Sequence, residues 1–225
     1  MGSQCSHERI LKGVDEIAHP DHSALIVVDV QNDFAHSDGF IAKFGLDMSY
    51  IQAALPKVNE AIKNARRFGV KVIYLQEWIS KNTILPNFIT QFGDFENIAV
   101  RENTWGAEFH PDLVKPEPGE IVVRKPCYDG FQDTNLDVTL RGLDIRTCVY
   151  AGFASNVCVE ATARHGFVQG YYSVLLSDAS AAGTTGEHQA CATTFKVFYG
   201  PVVTTKEMFD IWAKAKAGQT AGAVR

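Results

Sequence analysis

The sequence has little of what marks a metal, membrane or nucleic-acid protein. No C-x-x-C pair occurs among its five cysteines, Cys5, Cys127, Cys148, Cys158 and Cys191. That argues against a zinc knot or a redox dithiol, and an odd, scattered set reads as free thiols in a reducing compartment. No apolar run reaches the roughly 20 residues of a membrane span. No block of like charge appears, no Lys/Arg cluster offers a nucleic-acid surface, and the net charge is −5. The opening "MGSQCSHERILKGVDEIAHP" has neither the basic start nor the apolar stretch of a secretory signal, so a cytoplasmic location is expected. It does meet the minimal myristoylation pattern, Gly2 with Ser6, a pattern short enough for ordinary N-termini to match.

What is present is a globular composition. The chain has 225 residues and 46% apolar side chains, enough for a sizeable core. Buried-strand runs alternate with helical patterns. "SALIVVDV" reads as a parallel strand from Ser23 to Val30, and a helical pattern after it stops at Gly69. "VKVIYLQ" is a second strand, Val70 to Gln76, and "GEIVVRK" a third, Gly119 to Lys125. A short helix ending at Gly142 leads to "RTCVYAGF", a fourth strand, and to the helix "NVCVEATARHGFVQG". "YYSVLLSDA", the helix "GEHQACATTFKVFYG", a short "PVVTT" strand and a terminal helix complete the series. The alternation predicts an α/β fold with a doubly wound, mostly parallel sheet in one domain over residues 1–225. Residues 1–22 form an N-terminal extension. Residues 79–118 form an inserted arm, strandless and rich in aromatics (Phe88, Phe92, Phe95, Trp105, Phe109). Such an arm is a functional lid or partner-facing arm, or a pair of surface helices with a small core of their own.

Ligands of such a sheet collect outside the carboxyl ends of its strands. Three unusual residues fall there. Asp29 is an acid within an apolar strand, costly to bury unpaired. Lys125 follows an apolar run and precedes Pro126; Cys158 falls in the first turn of a helix. Taken singly they read as a turn-capping Asp, a snorkelling Lys and a buried apolar Cys. Together they are an acid, a cation and a thiol at three strand ends. A helix N-terminus and an ammonium favour a thiolate, a carboxylate can take and return the thiol proton, and the Cys158 N–H can serve as an oxyanion donor.

Four stretches carry a resemblance: "ALIVVDVQNDF", "NTWGAEFHPDL", "VVRKPCYDGFQDTNLDVTL" and "VYAGFASNVCVEATARHGF". In combination and order they resemble the isochorismatase-like cysteine hydrolases, from Ser23 to the terminal helix. The resemblance implies a three-layer α-β-α fold with a six-stranded sheet and a catalytic triad of Asp29, Lys125 and Cys158. It further implies a cis peptide between Phe153 and Ala154, an oxyanion hole from the N–H groups of Ala154 and Cys158, and a homodimer or larger homo-oligomer. Metal-dependent nicotinamidases of that family carry an Asp-x-His segment after the second strand. Here the place reads "YLQEWISKN", without histidine, and His36 and His110 stand apart, so no metal or other cofactor is expected. The ureidoacrylate amidohydrolase branch looks closest, with Cys127 and Asp129 as departures; Asp129 facing the pocket would disfavour an anionic substrate.

Position nominates Phe34, Gln76, Trp78, Trp105, Tyr128 and Asn156 as substrate-binding candidates. The expected function is a cysteine-dependent amidohydrolase that cleaves a small amide, ureido or carbamoyl compound through a covalent acyl-enzyme. Two alternatives stand beside it: an isochorismatase that cleaves a vinyl ether to pyruvate, and a protein-binding scaffold with a retired site. The expected partner is a small molecule, with no nucleic acid and no membrane.

Overall fold

The computed structural model describes residues 10–43 and 45–222. Cys5 and the Gly2/Ser6 lipidation pattern lie outside these residues. Six strands form one sheet in the order β3-β2-β1-β4-β5-β6, and every neighbouring pair is parallel. They are β1 (Ser23–Val28), β2 (Lys71–Glu77), β3 (Ile121–Lys125), β4 (Thr147–Phe153), β5 (Tyr172–Ala181) and β6 (Val202–Val203). The helices are α1 (Gly13–Ile17), α2 (Asn32–Ala35), α3 (Phe40–Lys43), α4 (Ser49–Phe68), α5 (Pro86–Phe92), α6 (Leu136–Gly142), α7 (Glu160–Val168), α8 (Thr185–Phe198) and α9 (Thr205–Gly222). The short helices α2 and α3 had no counterpart in the sequence reading, because four residues are too few for a period to register.

Strand alternation divides the core in two. Leu25 and Val27 face one layer, where Ile62 of α4 and Trp212 of α9 close the core. Ala24, Ile26 and Val28 face the other, with Leu140 of α6, Ala163 of α7 and Phe195 of α8. Both faces of β1 and β4 are therefore covered, which is why those strands are continuous apolar runs. Helix α4 ends where expected, on Gly69 at φ +76°, with the Val70 N–H returning to the Ala65 carbonyl at 2.9 Å. Among the described residues no helix is long and apolar enough to cross a membrane.

Gly152 in β4 is one position where only glycine fits. Its φ is +119°, and a Cβ there would meet the Val28 carbonyl oxygen at 2.1 Å. Gly152→Ala is expected to cost about 3 kcal/mol or more of stability, since it combines a disfavoured backbone region with a clash inside the sheet. Urea denaturation of the variant measures this, and an unchanged midpoint would contradict it.

The arm, residues 79–118, contains one short helix (α5), two 3₁₀ turns and no strand. It has a small core of its own around Ile79, Phe88, Ile98 and Val100. It is tied to the end of β1 by three consecutive side chains. Gln31 donates to the carbonyls of Glu77 and Ala107, both at 2.8 Å; Asn32 donates to the Trp105 carbonyl at 2.7 Å; and Asp33 accepts from the Val100 N–H at 2.7 Å. The arm thus closes over the carboxyl ends of the strands.

Candidate active site

Parallel register brings the candidate residues side by side. Glu77 pairs with Lys125 across β2 and β3, while Val28 pairs with Leu75 of β2 and Gly152 of β4. Asp29 follows Val28 at φ +51°, so it leaves the strand's alternation, and aspartate tolerates this region better than most residues. The Asp29 Oδ1 braces the sheet by accepting the Glu77 N–H at 3.1 Å. Its Oδ2 lies 2.7 Å from Lys125 Nζ, an ion pair with neither side chain exposed. Lys125 Nζ also contacts Glu77 Oε2 at 3.1 Å and donates to the Cys127 carbonyl at 2.8 Å. It is no snorkelling surface lysine: the residue is 1% exposed.

Cys158 lies within a π-helical turn, Ser155–Val159, that precedes α7. The Ala154 carbonyl accepts from Val157 at 3.1 Å and Val159 at 3.2 Å, rather than from Cys158 as an α-helix would require. The Cys158 carbonyl accepts from Thr162 Oγ1 at 2.7 Å, and Thr162 Oγ1 accepts from the Gly130 N–H at 2.9 Å, which fastens the turn to the loop after β3. The Phe153–Ala154 peptide is cis. The Cys158 thiol donates to Glu77 Oε2 at 3.6 Å, and ligand atoms of Asp29, Glu77 and Cys158 all lie within 4.8 Å of one another. The ammonium of Lys125 already contacts both carboxylates, so the chain itself supplies the cation at this cluster.

The electrostatics differ from the expectation of a thiolate. Burial, then the negative charges of Asp29 and Glu77, push the Cys158 thiol well above its ordinary value, and Lys125 only partly opposes them. One cation cannot offset two carboxylates and a thiolate together. The resting thiol is therefore protonated. Burial raises Asp29 as well, with help from Glu77 and against Lys125, to about 7. Lys125 is held above its ordinary value: burial opposes its charge, but the carboxylates of Asp29 and Glu77 outweigh burial.

A cavity of about 280 Å³ opens over Cys158. Of the six expected substrate contacts, Phe34, Tyr128 and Asn156 line it. Gln76, Trp78 and Trp105 lie outside its lining. Alternation turns Gln76 to the opposite face from Glu77, where its Nε2 donates to the Ala107 carbonyl at 2.9 Å. Trp78 is covered by the Arg124 guanidinium at 3.8 Å from its ring. Trp105 is 50% exposed and meets the His36 ring edge-on. Asp129 also faces away: its Oδ2 lies 2.5 Å from His165 Nδ1 of α7, and its Oδ1 accepts from the Phe131 N–H. His36 and His110, distant in sequence, meet with ring centroids 5.4 Å apart, yet each Nδ1 accepts a backbone N–H within its own turn. His110 is buried in its loop rather than on the surface.

Glu77 is the site residue that sequence reasoning missed. The β2 strand was expected to end at Gln76. The available signal was parity: Ile73, Leu75 and Glu77 share one face, the face of Val123 and Lys125 on β3.

With this geometry, comparison with known proteins is specific. The Isochorismatase domain family model matches residues 23–207. The chain belongs to the isochorismatase family. It is a hydrolase of that family, as the sequence resemblance implied. Ureidoacrylate amidohydrolase RutB of Enterobacter sp. (strain 638) is 34% identical over 206 residues, covering 85% of this chain and 89% of that protein. Among solved structures, a cysteine hydrolase from Pseudomonas syringae pv. phaseolicola 1448A superposes with a TM-score of 0.80 at 25% identity, over 93% of this chain and 99% of that one. N-carbamoylsarcosine amidase from Thermoplasma acidophilum gives 0.66 at 27% identity, over 81% and 96%.

Proposed function

We propose that this isochorismatase-family hydrolase cleaves the C–N bond of a small amide, ureido or carbamoyl compound, with Cys158 as nucleophile and Asp29 as base. The observation that carries this is the buried Asp29–Lys125–Glu77 cluster against the Cys158 thiol at the floor of a cavity. Asp29 takes the thiol proton as Sγ attacks the carbonyl carbon. The oxyanion rests on the N–H groups of Ala154 and Cys158. The C–N bond breaks, Asp29 passes the proton to the departing nitrogen, and ammonia or an amine leaves. Water, deprotonated by Asp29, then hydrolyses the thioester or thiocarbamate. A base near neutrality suits this cycle, because it both accepts and returns a proton. Lys125 stays an ammonium throughout and holds the two carboxylates in place.

Ureidoacrylate and N-carbamoylsarcosine, the substrates that relatives' names point to, contain ureido or carbamoyl groups, which supports the C–N reading over vinyl-ether cleavage. The test is release of ammonia from a panel of simple amides, ureides and carbamoyl amino acids. Pyruvate from isochorismate, with no ammonia from the panel, would point to the vinyl-ether reaction instead. The protein is expected to act as a homo-oligomer; Phe167, Val168, Val197 and Phe198 leave apolar surface on α7 and α8.

The pH profile follows from Asp29. Its carboxylate form is the working one, so kcat/KM should rise with pH through about 7. Glu77 raises Asp29, and Glu77→Gln should therefore move that limb to lower pH. A limb that stays in place in this variant would speak against Asp29 as the titrating base.

A further inference from the structure

The cavity over Cys158 is built for a body without negative charge. Its wall is apolar, with Phe34, Phe40, Ile79, Phe88, Phe92 and Val100 among the lining residues. Its charged groups are all acidic: Glu77 at the floor, with Asp47 and Glu187 exposed at the mouth. Among the described residues that line it there is no Arg, Lys or His. Lys125, behind the floor, is already paired with two carboxylates. Beside the N–H groups of Ala154 and Cys158, the side-chain oxygens near the floor are acceptors. Asn156 Oδ1 is buried without a hydrogen-bond partner, and the Glu77 carboxylate faces the thiol. Burial pushes the Tyr128 phenol up to about 12, so its hydroxyl stays neutral.

We infer that the substrate is an uncharged amide or ureide with an apolar body, whose carbamoyl N–H groups point to Glu77 and Asn156. A carboxylate in this cavity would lose water against aromatic side chains and face Glu77 with no cation to pair with. The nature of the head group rests on the amidohydrolase reading; the uncharged apolar body does not. This sets the chain apart from a ureidoacrylate enzyme, whose substrate carries a carboxylate.

The test uses matched pairs: hexanamide against adipic monoamide, and phenylurea against 4-ureidobenzoate. Binding to the Cys158→Ala protein is read by calorimetry, and turnover by the unaltered enzyme is read by ammonia release. The uncharged member of each pair should bind at least about 30-fold more tightly and be preferred in kcat/KM to a similar degree. Glu77→Gln should narrow the binding gap by about tenfold, and Glu187→Lys at the exposed mouth by less. Equal or tighter binding of the carboxylates would overturn the inference, as would failure of both members to bind at millimolar concentration. Tight binding of the uncharged members with no ammonia released would support the inference and end the amidohydrolase reading.

Discussion

Replacing Cys158 with Ala is expected to lower amide turnover by at least about 10⁴-fold while the protein stays folded. The thiol is the sole nucleophile in the proposed cycle, and an alanine leaves the floor of the cavity with no atom to form the acyl-enzyme. The side chain is small and buried in an apolar cluster, so the change removes little packing. Glu77 Oε2, which accepts from the thiol, keeps its contact with Lys125. Circular dichroism and the unfolding midpoint should therefore stay near those of the unaltered protein. Ammonia release at the original rate from the Cys158→Ala protein would remove Cys158 from the mechanism. A scaffold with a retired site would be indifferent to the change, because it would have no turnover to lose.

Lys125→Met should have the largest effect on stability, about 3–5 kcal/mol at neutral pH or above. Among the described residues the ammonium is the one cation touching Asp29 and Glu77, at 2.7 and 3.1 Å, and all three side chains are shut away from water. Its removal leaves two buried carboxylates facing each other. They lose both attraction and solvation, and methionine fills the stem's volume without offsetting either. The loss should shrink in mildly acid solution, where the pair can take up a proton. Neutralising the partners as well, in a Lys125→Met, Asp29→Asn, Glu77→Gln protein, should recover most of the stability and none of the activity. Urea denaturation of the single and triple variants reads both effects. A single variant as stable as the parent would mean that the cluster is not coupled as its geometry requires.

The order of strands and helices was legible in the sequence because it is written locally. Apolar runs such as "SALIVV" and "RTCVYAGF" mark strands buried on both faces, Gly69 marks a helix stop, and both signals need only nearby residues. Asp29 and Lys125 were legible for a related reason: a charged residue at the carboxyl end of an apolar run stands out before any contact is known, whereas Cys158 drew notice only through its place in the first turn after the fourth strand and its company with the other two. Glu77 did not stand out, because it directly follows a polar Gln76. Its place depends on which residue lies opposite Lys125 in the neighbouring strand. The same alternation sends Gln76 to the far face, and the fold of the arm leaves Trp78 and Trp105 outside the cavity lining.

Protonation was decided at a longer range still. Read alone, the first turn of a helix beside a lysine favours a thiolate at Cys158. The folded chain brings two carboxylates and deep burial to the same thiol, and they prevail. The Asp129 carboxylate, adjacent to Tyr128 of the cavity wall, is drawn off to His165 of α7, so the substrate preference falls instead to Glu77, Asp47 and Glu187. The sequence by itself determined the α/β alternation and nominated three residues of the candidate site, since periodicity and strand ends are local properties and the resemblance joined the three as a triad. The tertiary structure alone decided the fourth residue, the charge state of the thiol and the character of the cavity, because each is a sum over groups from chain segments that are distant in sequence.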